Sequence, residues 1–233
     1  MFKSLYERWA IYNADNKPTS CILALPGRGN RGQDIAEWYS FAGLKKTLIV
    51  AVTPANYEWY PQPNGPQDQA DAVAGQEAAR NSLEWVVDTI EKRYGIKSNR
   101  MALVGFSAGA VMAIQTAIHS EREFAAVIGH GGAILDPGGV PPAKNAMPIY
   151  LMHSNNDSTF EWDERFVPMK ESLEQNGYNV ESLIRKYEGH RVIYEDIVVA
   201  GAKLAPALGY PKGYQTVEYP ELLERSLRHV KVL

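Results

Sequence analysis

Residues Met101–Ala117 read MALVGFSAGAVMAIQTA. Four apolar residues lead into Gly105-Phe106-Ser107-Ala108-Gly109, and an alanine-rich, helix-forming run, Ser107–His119, leaves it. A short apolar run of this kind reads as a buried strand. A strand that passes through Gly-x-Ser-x-Gly straight into a helix is the setting of a nucleophile elbow. The turn lifts the serine hydroxyl clear of the backbone, at the carboxyl end of the strand. Its backbone angles are strained, so bulky neighbours would clash; Gly105, Ala108 and Gly109 are all small. The first N–H groups of the helix point back at the hydroxyl and favour negative charge there. A serine that only caps a helix is the plainer alternative. The strand on one side and the helix on the other favour Ser107 as a nucleophile.

The same alternation extends in both directions. Thr19–Pro26, Leu48–Thr53, Ala125–Gly129 and Met147–His153 are further short apolar runs, and Asn179–Tyr187 is a less apolar one placed nearer an edge. Tyr6–Tyr12 is a weaker candidate for an edge strand. Helices are expected over Asp34–Phe41, Gln67–Tyr94 with a break near Gly75, Glu161–Asn176 stopping at Gly177, Val192–Leu204 and Pro220–Val230. Ala55–Asp71 reads as a loop. Strands alternating with helices predict an α/β fold: a mostly parallel central sheet with helices on both faces. At 233 residues the chain is read as one domain, 1–233.

Composition narrows the chemistry. A net charge of -3 without a basic stripe argues against nucleic acid as a partner. A single cysteine, Cys21, excludes an intrachain disulfide and thiolate-rich zinc or iron–sulfur sites. The opening MFKSLYERWAIYN lacks the pattern of a secretory signal, and no apolar run would span a bilayer. A cytoplasmic protein without stable membrane insertion is expected. Gly27-x-Gly29-x-x-Gly32 has the bare spacing of a dinucleotide fingerprint, but only a short helix follows and no acid ends a second strand.

A serine hydroxyl needs a base, and the base needs an orienting acid. Asp157 lies just past Met147–His153, in SNNDST; His190 lies just past the last apolar run, in EGHRV. Both fall at strand ends on the edge that carries Ser107. Of the five histidines, His119 and His229 sit in helix-like stretches, and His130 and His153 near strand ends read as structural. Asp136 and Asp163 are the weaker choices of acid. The turn Leu25–Gly32, LPGRGNRG, follows the apolar strand Thr19–Pro26 and can offer a backbone N–H to an oxyanion. Arg28 is the donor expected there, and Ala108 the second. The Arg28 side chain is read either as a solvated turn residue or as a contact to an anionic substrate group.

From Ser20 to Val192 the chain resembles the phospholipase/carboxylesterase family of α/β-hydrolases, which includes small bacterial carboxylesterases and acyl-protein thioesterases. LPGRGNRGQD is similar to the family's first oxyanion turn, with Pro26-Gly27 in place of histidine-glycine. GFSAGA is similar to its nucleophile segment, with Ala108 where glutamine is frequent. HSNNDSTF is similar to a segment written histidine-glycine-x-x-aspartate, with Ser154 in place of the glycine. LEQNGYNVE followed by Gly189-His190 matches the lead-in to the catalytic histidine. The resemblance implies the α/β-hydrolase fold, a triad of Ser107, Asp157 and His190, and oxyanion donors in the backbone of Arg28 and Ala108. It also implies that Trp59 and Tyr60, in a Trp-Tyr-Pro loop, contact substrate or pack that loop against the body. The activity implied is cleavage of carboxylic esters through an acyl-enzyme, on a small-molecule ester or acyl substrate, with no metal or organic cofactor. A lysophospholipase or acyl-protein thioesterase is the alternative, and a non-catalytic binding protein with a hydrolase fold the remote one. Family habit leaves a homodimer open. The C-terminal extension, about 205–233, is longer than the family's closing helix.

Overall fold

The computed structural model describes residues 9–14, 17–62, 68–216 and 231–232. Their centre is a sheet of six parallel strands: β2 (Ser20–Leu25), β3 (Thr47–Val52), β4 (Met101–Phe106), β5 (Ala126–His130), β6 (Pro148–Ser154) and β7 (Asn179–Arg185). Two antiparallel strands, β1 (Trp9–Tyr12) and β8 (Lys231–Val232), close its edges, giving the order β1-β3-β2-β4-β5-β6-β7-β8. The edge strand expected within Tyr6–Tyr12 is β1. Strand β8 pairs outside β7; the helix expected over Pro220–Val230 lies outside the described residues.

Alternation along the strands divides the interior into two cores. Cys21, Leu23 and Leu25 face one side, and Ile22 and Ala24 the other. The first side is covered by α2 (Gln69–Tyr94), α3 (Ala108–His119) and α4 (Val167–Gln175), through Leu83, Val87, Val111, Ile114, Met169 and Leu173. The second is covered by α1 (Gly32–Ser40) and α5 (Tyr194–Ala207), through Ile35, Tyr39, Ile197 and Leu204. Strands covered on both faces carry continuous apolar runs, and this is why they were readable.

Two expectations are corrected. Helix α2 runs through Gly75 without a break. A Cβ at that position would come within 2.7 Å of the Pro61 ring, so the glycine makes room for the Trp59–Pro61 loop. The stretch read as one helix over Glu161–Asn176 opens with a π turn, Trp162–Phe166, before α4. Pro168, in the first turn of α4, has no N–H to offer the carbonyl of Glu164, so the α ladder lacks one bond where the π turn meets the helix.

The described part of the C-terminal segment wraps the body. The Tyr210 hydroxyl accepts from the Lys46 amide at 2.9 Å and bonds Thr47 Oγ1 at 2.8 Å, and Tyr214 donates to Gly43 O at 3.0 Å. These contacts lie where β3 begins. Ser107 lies where β4 ends, at the opposite end of the parallel strands.

Leu103 is fully buried in the central strand β4. Leu103→Ala is expected to lower unfolding free energy by about 2–5 kcal/mol, the range for a core leucine truncated to alanine. Urea denaturation followed by tryptophan fluorescence measures this.

Candidate active site

The site is built from turns at the carboxyl ends of β2, β4, β5, β6 and β7. At the end of β4, Ser107 has φ 55° and ψ -124°, a conformation that few non-glycine residues adopt. Such strain persists only where the surroundings over-determine it. Here the Ser107 N–H donates to the His130 carbonyl at 2.9 Å, and its carbonyl accepts from Ala110 at 2.9 Å and Val111 at 3.1 Å. Both backbone polar groups are therefore fixed. The turn is also crowded: a Cβ on Gly105 would lie 2.2 Å from the Gly109 carbonyl oxygen, and one on Gly109 would lie 2.0 Å from the Leu25 carbonyl oxygen.

From this turn a chain of hydrogen bonds runs outward. Ser107 Oγ lies 3.0 Å from His190 Nε2, and His190 Nδ1 lies 2.8 Å from Asp157 Oδ2. The other carboxylate oxygen, Oδ1, accepts the amides of Thr159 at 2.8 Å and Phe160 at 3.0 Å. Burial alone would raise the pKa of Asp157. The bond from His190 and the two amides outweigh it and hold the carboxyl below its ordinary range. A carboxylate so fixed favours the Nδ1–H tautomer of His190 and leaves Nε2 as the acceptor facing Ser107. The imidazole is flanked by two rings, Phe106 at 5.0 Å and Phe160 at 5.8 Å between centroids.

The three residues expected to act together are thus adjacent, though 83 positions separate Ser107 from His190. The other candidates are not part of this chain. His153 stacks on Phe166 at 4.4 Å, and His119 closes the last turn of α3. His229 lies outside the described residues. Asp136 precedes a short turn, Pro137–Gly139, and Asp163 sits in the π turn.

The first glycine-rich turn packs against the Ser107 turn. A Cβ on Gly27 would lie 3.3 Å from Ser107 Cβ. The next amide is that of Arg28. Ala108 is the first residue of α3, so its N–H precedes the first i to i−4 bond of the helix. The Arg28 guanidinium is turned to the neighbouring loop: it pairs with Glu58 and donates to Tyr60 O at 3.1 Å. In that loop Trp59 and Tyr60 are only 8% and 5% exposed. Trp59 Nε1 donates to Pro26 O at 2.8 Å, tying the loop to the glycine turn.

One contributor, Gly131, is not singled out by the sequence. Gly131 follows β5 with φ 53°, and a Cβ there would approach Asp157 Oδ2 to 3.3 Å and His190 Nδ1 to 3.4 Å. The Gly131-Gly132 pair after an apolar strand was the available signal. His130, at the end of β5, is fully buried and bonds the Tyr39 hydroxyl through Nε2 at 2.8 Å. Burial lowers its pKa from 6.5 to about 4. Among the described residues no cluster of three or more His, Cys, Asp or Glu side chains is gathered as for a metal ion. None of their helices is long and apolar enough to cross a membrane.

With this geometry in place, the relatives are informative. The family model described as Phospholipase/Carboxylesterase matches residues 7–200. The chain belongs to this family and is a hydrolase of the esterase/thioesterase type. Solved structures share the fold at low identity. A phospholipase/carboxylesterase from Dyadobacter fermentans is 20% identical, with 84% of this chain and 95% of that one covered and a TM-score of 0.73. The Bacillus cereus carboxylesterase is 19% identical, with 88% and 99% covered and a TM-score of 0.72. Zea mays acyl-protein thioesterase 2 is 18% identical, with 87% and 99% covered and a TM-score of 0.72.

The depressed pKa of His130 has a consequence for stability. Between pH 6.5 and about 4 the unfolded chain takes up a proton that the folded chain refuses. Stability attributable to this group is therefore complete above pH 6.5 and is lost as pH falls toward 4. The shift corresponds to roughly 3 kcal/mol. Urea midpoints measured across that window are expected to fall more steeply for the wild type than for His130→Asn, whose side chain does not titrate.

Proposed function

We propose that this hydrolase is a serine carboxylesterase with Ser107 as nucleophile, His190 as general base and acid, and Asp157 as the orienting carboxylate. The observation that carries the reading is the unbroken path from Ser107 Oγ through His190 to Asp157, at 3.0 and 2.8 Å. Its far end is held by two amides.

In this reaction His190 Nε2 takes the hydroxyl proton as Ser107 Oγ attacks the ester carbonyl. The carbonyl becomes an oxyanion. The N–H groups of Arg28 and Ala108 receive it, in a pocket where fixed donors need no reorganisation. Loss of one such donor typically costs about 3–4 kcal/mol of transition-state stabilisation. Imidazolium forms on His190, stabilised by the ionised Asp157. It then protonates the departing alcohol. Water, deprotonated by the same imidazole, attacks the acyl-enzyme and releases the acid and Ser107.

Trp59 and Tyr60 serve this site chiefly by holding the Pro26–Arg28 turn, because both rings are buried and Trp59 bonds the Pro26 carbonyl. Ser107, His190 and Asp157 would equally open a thioester or a lysophospholipid. The acyl chain that the site accepts separates these substrates, and it is read directly from a homologous series.

Nitrophenyl esters from acetyl to palmitoyl, with wild type and Ser107→Ala side by side, test the proposal. Wild type is expected to turn over the short members best. The variant is expected to lose at least about 10⁴-fold in kcat. A maximum at long chains would move the substrate to a lipid or acyl-thioester. Equal rates in the two proteins would rule out the serine mechanism.

A further inference from the structure

Beyond the three residues of the proposed mechanism, a feature of β6 bears on how the base is held. Strand β7 ends at Arg185, and residues 186–193 cross to α5 without helix or strand. Within this crossing Tyr187 has φ 59° and Gly189 has φ 66°, so the chain reverses sharply just before His190. Tyr187 is 77% exposed. A non-glycine residue in the left-handed region is not held there by its own preferences. A loop with these properties would leave His190 poorly fixed unless its amides were bound elsewhere.

They are bound by side chains of one tripeptide, Ser154-Asn155-Asn156. The Tyr187 amide donates to Asn155 Oδ1 at 3.0 Å. The Glu188 and Gly189 amides donate to Ser154 Oγ at 3.0 and 3.2 Å. The Gly189 amide also donates to Asn156 Oδ1 at 2.8 Å, and the Ser154 hydroxyl donates to that same oxygen at 2.7 Å. Three consecutive amides of the histidine loop thus find acceptors on three consecutive residues. The Asn155 amide returns a bond to the Arg185 carbonyl at 3.1 Å. The base of the loop is closed by a buried ion pair, Arg185 Nε to Asp196 Oδ1 at 2.6 Å, between the end of β7 and the first turn of α5.

The next residue after the tripeptide is Asp157. One continuous segment, 154–157, therefore holds both the orienting carboxylate and the loop that carries its imidazole partner. We propose that Ser154, Asn155 and Asn156 are positioning residues, a polar clamp that fixes His190 against Asp157 and Ser107. Ser154 is central. It is 4% exposed, and its oxygen accepts two amides while its proton goes to Asn156. Alanine here would leave the Glu188 amide without its acceptor. Side-chain-to-backbone bonds of this kind are a recurrent use of serine and asparagine, and they set loop geometry rather than reactivity. The role assigned to the clamp rests on His190 being the base.

The test compares wild type with Asn156→Ala, Asn156→Asp and Ser154→Ala/Asn156→Ala in the full-length protein, using two readouts. The first is the downfield proton resonance of the His190 Nδ1–H, identified by its absence in His190→Gln. The second is the split between kcat and KM on the best nitrophenyl ester. A misplaced base is expected to cut kcat by about 10- to 100-fold in the double variant, with KM changed less than about twofold. The resonance is expected to broaden or vanish. Asn156 is exposed, so its variants probe the clamp without disturbing the core. Asn156→Asp keeps an oxygen for the Gly189 amide and is expected to recover most of the kcat that Asn156→Ala loses. Wild-type kcat and an unchanged resonance in the double variant would overturn the clamp. So would a loss confined to KM. A failure of the esterase reading shows differently: wild type would then turn over no ester, while the resonance would still report whether the clamp holds His190.

Discussion

The Ser107 backbone, held at φ 55° and ψ -124° between the ends of β4 and β5, is the constraint on which the site depends. One bond, from the Ser107 amide to the His130 carbonyl, joins the turn to the neighbouring strand. Close passage of Gly109 over the Leu25 carbonyl joins it to the strand on the other side. The sheet thus fixes the direction of Oγ before any catalytic partner is added. Parallel strands with buried faces make this possible. Their carboxyl ends lie along one edge, and turns from several of them converge there.

Electrostatics then follows from burial. Asp157 is almost completely buried, yet it stays ionised because His190 and two amides compensate its desolvation. His130, equally buried and bonded through Nε2 to the uncharged Tyr39 hydroxyl, is instead held neutral, because burial outweighs the attraction of Asp196. Two titratable groups at adjacent strand ends are therefore pushed in opposite directions relative to their charge. One becomes an anion suited to orient an imidazole. The other becomes a neutral strut behind the Ser107 turn.

The parts legible in the sequence were those with strong local signals. Continuous apolar runs marked five of the six parallel strands, a less apolar run marked β7, and Gly-x-Ser-x-Gly between a strand and a helix marked the turn. Strand ends then pointed to Asp157 and His190, which the fold brings beside Ser107. Other parts depend on contacts that no local pattern records. Gly75 reads as a helix break but serves to admit Pro61, 14 positions away. The Trp162–Phe166 π turn leaves no mark in the apolar spacing of Glu161–Asn176. Ser154-Asn155-Asn156 reads as an ordinary polar loop, because its acceptors serve amides more than 30 positions downstream. Strand β8 pairs with a strand still farther away in sequence, Leu183 with Val232, and is too short to announce itself.

The central claim is that Ser107 is made nucleophilic by His190. Labelling with a fluorophosphonate tests it without any assumption about the natural substrate. Intact-mass and peptide analysis of the wild type is expected to find one phosphonyl group, on the peptide that contains Ser107. The labelling rate is expected to fall by orders of magnitude in His190→Ala. A label on another residue, or an equal rate in the two proteins, would contradict the account.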